Sequence, residues 1–228
     1  VSTIHPNLQN LSLAAQALGE LKTELVYVGG ATAILYADSV EQSSARPTID
    51  VDCIVEVASS LEYHKVETKM RSIGFSHDIS EDAPICRWKK GSLIVDLMPI
   101  DEKILGFSNR WYKDGFKTAE KCKLPDGTSI SIFTFPYFVA SKTEALLSRG
   151  IKDLSVSQDL EDILFVMDSR KTFVEELKQA PELVLNFVKE SFFQIFQKPD
   201  FEFAARGNMP LELVTERQNQ ILKMFSDF

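Results

Sequence analysis

Three observations predict an α+β fold. Helix, strand, helix and strand patterns follow one another over the first 55 residues, a succession that builds a layered sheet-and-helix unit. Two hairpin signals come next, at Lys89-Lys90-Gly91 and Pro125-Asp126-Gly127, where turn formers separate apolar or alternating runs. From Pro136 onward apolar residues recur at helical spacing. The expected organisation is therefore a mixed-sheet lobe over residues 1–133 and a helical lobe over 134–228.

Leu11, Ala14, Ala15, Leu18 and Leu21 recur every three or four residues and predict a first helix. Leu25-Val26-Tyr27-Val28 reads as a buried strand ending at Gly29-Gly30, and residues 31–37 read as a helix that starts at those glycines. Ser43 to Pro47 is expected to be loop, and Val51 to Val55 a second strand. Ser59 or Ser60 can cap a helix to about Ile73, with Leu61, Val66, Met70 and Ile73 facing inward. Gly74-Phe75, Ile85 to Trp88 and Leu93 to Met98 read as further strands, and the second hairpin joins 118–124 to 129–133. In the helical lobe Pro136 suits a first turn. Later helices are marked by Leu160, Ile163, Leu164 and Met167, by Phe173, Leu177 and Ala180, by Val184, Phe187, Phe192 and Phe196, and by Leu211 to Phe225.

A chain of 228 residues can bury a sizeable core. Its 44% apolar and 25% charged content is that of a globular protein, and no run reaches the roughly 18 apolar residues of a membrane helix. The stretch Val1-Ser2-Thr3-Ile4-His5-Pro6 lacks the basic and apolar pattern of a signal peptide, so a cytoplasmic location without membrane attachment is expected. Cys53, Cys86 and Cys122 are widely spaced and suit a reducing compartment. A net charge of −8 argues against a broad nonspecific grip on nucleic acid.

The chemistry concentrates at Asp50-Val51-Asp52. Side chains at i and i+2 of a strand share one face, so these carboxylates can converge on one cation. Asp96, inside the apolar run Leu93 to Met98, can supply a third carboxylate from a neighbouring strand. Such a cluster is favourable mainly with cations present, and hard oxygen ligands suit Mg²⁺ held against phosphates. The bland alternative makes the two acids a solvated strand edge and Asp96 a turn residue. Gly29-Gly30, between strand and helix, allows close approach and offers backbone N–H groups to phosphate, or is simply a turn. Lys142 shares a helix stripe with Phe138, Ala145 and Arg149. Both cations can face an anion, lie in solvent, or pair with Asp159 and Asp162, the last being the preferred reading for Arg149. His5, His64 and His77 share no metal spacing, Asn109 to Lys113 suits a loop on the sheet rim more than a base-stacking surface, and the phenylalanines from Phe192 to Phe203 suit core or a partner surface.

These runs resemble the polymerase-β-like nucleotidyltransferase superfamily. Its pattern of an apolar residue, two small residues and then D-h-D-h stands here as Val28-Gly29-Gly30 and Asp50-Val51-Asp52-Cys53. The closer resemblance is to nucleotidyltransferases of the AbiEii/AbiGii toxin type, through Tyr27 to Ala31, Arg46 to Asp52, Lys142 to Gly150 and Asp159 to Ile163. The likeness covers roughly residues 20–170 and is looser beyond.

The resemblance implies an Mg²⁺-dependent (or Mn²⁺-dependent) transferase that moves a nucleoside monophosphate from an NTP to an acceptor hydroxyl. Asp50, Asp52 and Asp96 would be its metal ligands, and Asp96 would also orient the nucleophile. Gly29, Gly30, Arg46 and Thr48 would lie at the nucleotide, and Lys142 would contact the triphosphate and face Asp50 and Asp52 across a cleft. Arg149, Asp159 and Asp162 would support them. The toxin likeness makes an RNA or tRNA end the expected acceptor and an antitoxin the expected protein partner. Alternatives are a small-molecule nucleotidyltransferase and a degenerate nucleotide-binding or regulatory protein. An RNA acceptor would need a local basic path, for which Lys113, Lys117, Lys121, Lys123 and Lys142 are the candidates.

Overall fold

The computed structural model describes residues 4–38, 45–206, 214–216, 218–220 and 223. The chain is α+β and divides into two units: residues 1–32 with 47–134, and residues 33–46 with 135–228. The second break lies one residue from the expected boundary. The excursion of 33–46 into the helical unit was not expected, and its cause is a set of contacts with residues distant in sequence. The Tyr36 ring centroid lies 4.4 Å from that of Phe138. The Asp38 N–H donates to Ser169 O, and the Arg170 guanidinium donates to Tyr36 O at 2.6 Å.

The first unit is built on one mixed sheet. Its strands are β1 (Leu25–Val28), β2 (Asp50–Val55), β3 (Ser76–His77), β4 (Arg87–Lys90), β5 (Leu93–Pro99), β6 (Glu120–Lys123) and β7 (Ser129–Ile132), in the order β3-β4-β5-β2-β1-β7-β6. The β2–β5 and β1–β7 pairs are parallel and the others antiparallel. Parallel central strands are covered on both faces, and Val51, Cys53, Ile54, Val95 and Leu97 are accordingly buried.

Helix α1 (Pro6–Leu18) starts at His5, whose ring accepts from Asn7 N–H. It buries Leu8, Leu11, Ala14, Ala15 and Leu18 and runs into a 3-10 segment over Gly19–Glu24. The helix expected over 31–37 is instead a 3-10 turn, Gly30–Thr32, followed in the other unit by the short α2 (Ala33–Tyr36). Helix α3 (Ser60–Ser72) is capped by Ser59, whose side chain accepts from Glu62 N–H. It faces inward with Tyr63, Val66 and Met70; Leu61, expected inside, is 68% exposed. Tyr63 takes that place because its hydroxyl reaches the Leu97 carbonyl at 2.7 Å. Short helices α4 (Glu102–Leu105) and α5 (Tyr112–Lys117) complete the unit. Trp111, at the start of α5, is buried, which favours the rim-packing reading of residues 109–113.

The second unit contains α6 (Phe135–Ala145), a π-helical turn (Leu146–Gly150), α7 (Gln158–Ser169), α8 (Phe173–Lys178), α9 (Glu182–Phe196) and α10 (Phe201–Arg206). Phe138, Val139, Leu164, Met167, Phe173, Leu177, Val188 and Phe192 form its core. The loop expected at Ser43 and Ser44 and most of the helix expected over 211–225 lie outside the described residues. Among the described residues no helix is long and apolar enough to cross a membrane.

Candidate functional site

Strand register alone gathers the acids of the first unit. Asp52 is paired with Asp96 across the parallel β2–β5 ladder, and Asp96 with Arg87 across the antiparallel β5–β4 ladder. Directly paired residues project to one face, and Asp50, two residues before Asp52, joins them. One face of three adjacent strands therefore carries Asp50, Asp52, Asp96 and Arg87. Val51, Cys53, Val95 and Trp88 lie on the opposite face and are fully buried.

Arg87 was not anticipated. Its Nε donates to Asp96 Oδ1 at 2.8 Å and its terminal nitrogen to Asp96 Oδ2 at 2.7 Å, a two-pronged fork. The same terminal nitrogen reaches Asp50 Oδ2 at 2.6 Å. Asp96 is thus held through both oxygens and Asp50 through one. Their exposures follow that order, 8% for the Asp96 side chain and 27% for that of Asp50. The bond to Asp96 raises the affinity of the guanidinium for its proton, against the effect of burial. The sequence signal was a single cation in the apolar run Ile85-Cys86-Arg87-Trp88, on the face opposite Cys86 and Trp88.

The expected geometry of Asp96 changes accordingly. Asp96, expected as a third metal ligand, is forked by the Arg87 guanidinium, because β4 brings Arg87 into direct register with it.

Burial first, and then the charges of Asp96 and Asp52, push the Cys86 thiol up to about 12. The Cys53 thiol is likewise raised by burial and then by the charges of Asp52 and Asp96.

Gly29 makes room for Asp52. A Cβ at this position would stand 1.9 Å from Asp52 Oδ2, and the backbone φ of 73° is one that L side chains rarely adopt. The carboxylate can lie against the end of β1 only because residue 29 has no side chain. Gly30 opens the following 3-10 turn, where the Thr32 N–H and hydroxyl both donate to Gly29 O.

Thr48, expected at the nucleotide, is tied into the unit's own framework. Its N–H donates to Asn7 Oδ1 at 2.8 Å, its hydroxyl to Asp50 O at 3.2 Å, and its carbonyl accepts from Asn10. These bonds fasten the entry to β2 onto α1. Thr48 positions Asp50 through the backbone.

The remaining expected residues bind one another within the second unit. Lys142, only 6% exposed, places its ammonium 2.7 Å from Asp162 and 3.1 Å from Asp159. Arg149 binds Asp159 through Nε at 2.7 Å and a terminal nitrogen at 3.0 Å, the pairing preferred for it from the sequence. Arg46, expected near phosphates or on the loop before β2, meets Asp162 at 3.2 Å and Glu161 at 3.4 Å. Lys142, expected at the triphosphate, is held by the two carboxylates. A buried ammonium needs carboxylate partners, and α7 supplies two, three residues apart. Asp159 is held below the usual carboxylate range: burial opposes ionisation, but the Arg149 hydrogen bonds and the Lys142 charge outweigh it.

The histidines are structural. His5 caps α1, while His64 and His77 each lie 3.0 Å from a Glu67 carboxylate oxygen. Among the described residues no group of three or more His, Cys, Asp and Glu side chains is arranged to hold a metal ion. The chemistry of the donor set on the sheet nevertheless suits a hard divalent cation. Asp50 and Asp52 project from one strand face as oxygen donors, and the Gly29 cradle accommodates Asp52.

No protein-family model matches the chain, and a search of curated proteins finds no match.

Proposed function

We propose that the β2–β5 face is the active centre of a metal-dependent nucleotidyltransferase of the toxin-like type. The observation that carries this reading is the register of Asp50, Asp52 and Asp96 on one face, with Asp52 laid against Gly29. Three acids gathered on two strands cost free energy unless a cation repays it. Bound Mg²⁺ or Mn²⁺ supplies positive charge to the phosphoryl oxygens and to the departing pyrophosphate.

The chain's own residues do the rest. Asp50 and Asp52 hold the cation, and the Gly29-Gly30 turn lets the nucleotide approach the backbone. Asp96, oriented by Arg87, retains lone pairs that can accept a hydrogen bond from the acceptor hydroxyl. The acceptor oxygen forms a bond to the α-phosphorus, the α–β phosphoanhydride bond breaks, and the hydroxyl proton passes to a base or to water.

An anionic acceptor such as an RNA end fits the exposed Lys113, Lys117, Lys121 and Lys123 on α5 and β6 of the same unit. A toxin role with a neutralising partner rests on the sequence likeness and would appear as growth arrest relieved by Asp52→Ala.

The test supplies each of four α-labelled NTPs with Mg²⁺ and total cell extract to wild type and to Asp52→Asn. Wild type should label one macromolecular class and release pyrophosphate, and the variant should lose roughly 100-fold or more of that activity. Undiminished transfer by Asp52→Asn would remove the reading. Nucleotide binding without transfer to any acceptor would favour a regulatory nucleotide-binding protein, a second reading motivated by the Arg87 guanidinium lying between Asp50 and Asp96.

A further inference from the structure

We propose that Arg87 is a resident counter-cation that competes with the divalent ion for Asp50, so that loading the site means exchange of Asp50 from the guanidinium to the metal. The proposal rests on the transferase reading of this face and specifies how the centre is gated. The three contacts of Arg87 are unequal. Asp96 is buried and takes the fork through both oxygens; Asp50 is more exposed and takes one bond, from a nitrogen already shared with Asp96. The single, more exposed contact is the one that can be exchanged without moving β4 or β5.

Charge points the same way. Two carboxylates, Asp50 and Asp96, share a single guanidinium, so this trio is one positive charge short. Rotation of the Asp50 side chain towards Asp52 would leave a neutral Arg87–Asp96 pair and bring two same-face carboxylates to the cation. The side-chain arrangement thereby divides three acids that the sequence treats alike. Asp52 lies in the glycine cradle, Asp50 is the exchangeable arm, and Asp96 anchors the arginine. Arg87 is a positioning residue, acting through Asp50 and Asp96.

The test is direct Mn²⁺ binding without nucleotide, followed by electron paramagnetic resonance of free Mn²⁺. The samples are wild type, Arg87→Gln, Arg87→Lys and the double variant Asp50→Asn/Arg87→Gln, each checked for wild-type circular dichroism. Removing a like charge beside a cation site strengthens binding by about tenfold or more. Arg87→Gln should therefore bind Mn²⁺ at least that much more tightly than wild type, and the double variant should lose the gain.

Arg87→Lys, which keeps the charge but not the fork, should fall between them and serves if Arg87→Gln does not fold. Binding that is unchanged or weaker in both single variants overturns the competition while leaving the transferase reading standing. No Mn²⁺ binding by wild type or by any variant overturns both.

Discussion

The two units each bury aspartates beside basic side chains, yet they balance charge differently. On α7, Asp159, Asp162 and Glu161 meet Lys142, Arg149 and Arg46, three acids to three bases. On the sheet, Asp50 and Asp96 share the Arg87 guanidinium, and register adds Asp52 to the same face. The first arrangement answers its own electrostatics and reads as a structural core. The second gathers Asp50, Asp52 and Asp96 about Arg87, an arrangement that an external cation could complete.

The difference can be broken by mutation. Lys142→Met leaves Asp159 and Asp162 without their shared ammonium in a buried setting and should cost about 3 kcal/mol of stability. Millimolar Mg²⁺ should not restore it, because Arg149 and Arg46 still occupy the acids. Arg87→Met should cost a similar amount, about 3 kcal/mol, in a chelator. Here Mg²⁺ should recover a measurable part. Denaturant unfolding of both variants with and without Mg²⁺ reads this contrast, and equal responses to the metal would erase it.

Gly29→Ala sharpens the sheet half. An alanine would carry the strain of a positive φ and push against the Asp52 carboxylate. Strain alone costs about 1–2 kcal/mol, and displacement of Asp52 should lower label transfer far more than stability loss predicts. Transfer at the wild-type rate by a folded Gly29→Ala protein would remove Gly29 from the account.

The smallest effect concerns pH. Asp159 has a lowered folded-state pKa, so its contribution is complete above the unfolded carboxylate value near ~4 and is lost as pH falls through the folded value. The second unit should therefore lose stability on acidification below about pH 4. Arg149→Gln removes one cause of the depression and should make that acid limb shallower. The Arg149 side chain is 71% exposed, so solvent screens the pair and the change should stay under about 1 kcal/mol. Acid unfolding curves of wild type and Arg149→Gln compare the two slopes.

Much of the architecture was legible because it follows from periodicity. Leu25–Val28, the second hairpin and α9 come from patterns that local sequence carries, and the alternation in Asp50-Val51-Asp52 already put both acids on one face. What was hidden depends on register and on distant partners. Arg87 stands opposite Asp96 because the β4–β5 turn falls at Gly91-Ser92 with Lys89 and Lys90 inside the strand, whereas a turn at Lys89-Lys90-Gly91, as expected, gives another register. Lys142 was assigned to phosphate by likeness, whereas its environment is set by α7, which follows a π-helical turn and a loop. The excursion of 33–46 was hidden for a related reason. Tyr36 and Arg46 find their partners more than 100 residues away, in Arg170 and Asp162.

The central claim is that the β2–β5 face binds a divalent cation together with a nucleoside triphosphate. Calorimetric titration of Mg²⁺–NTP into wild type and into the double variant Asp50→Asn/Asp52→Asn tests it most directly. Saturable binding to wild type that depends on Mg²⁺ and disappears in the folded double variant is the predicted result. Equal affinity in the two proteins, or binding to wild type that is indifferent to Mg²⁺, would contradict it.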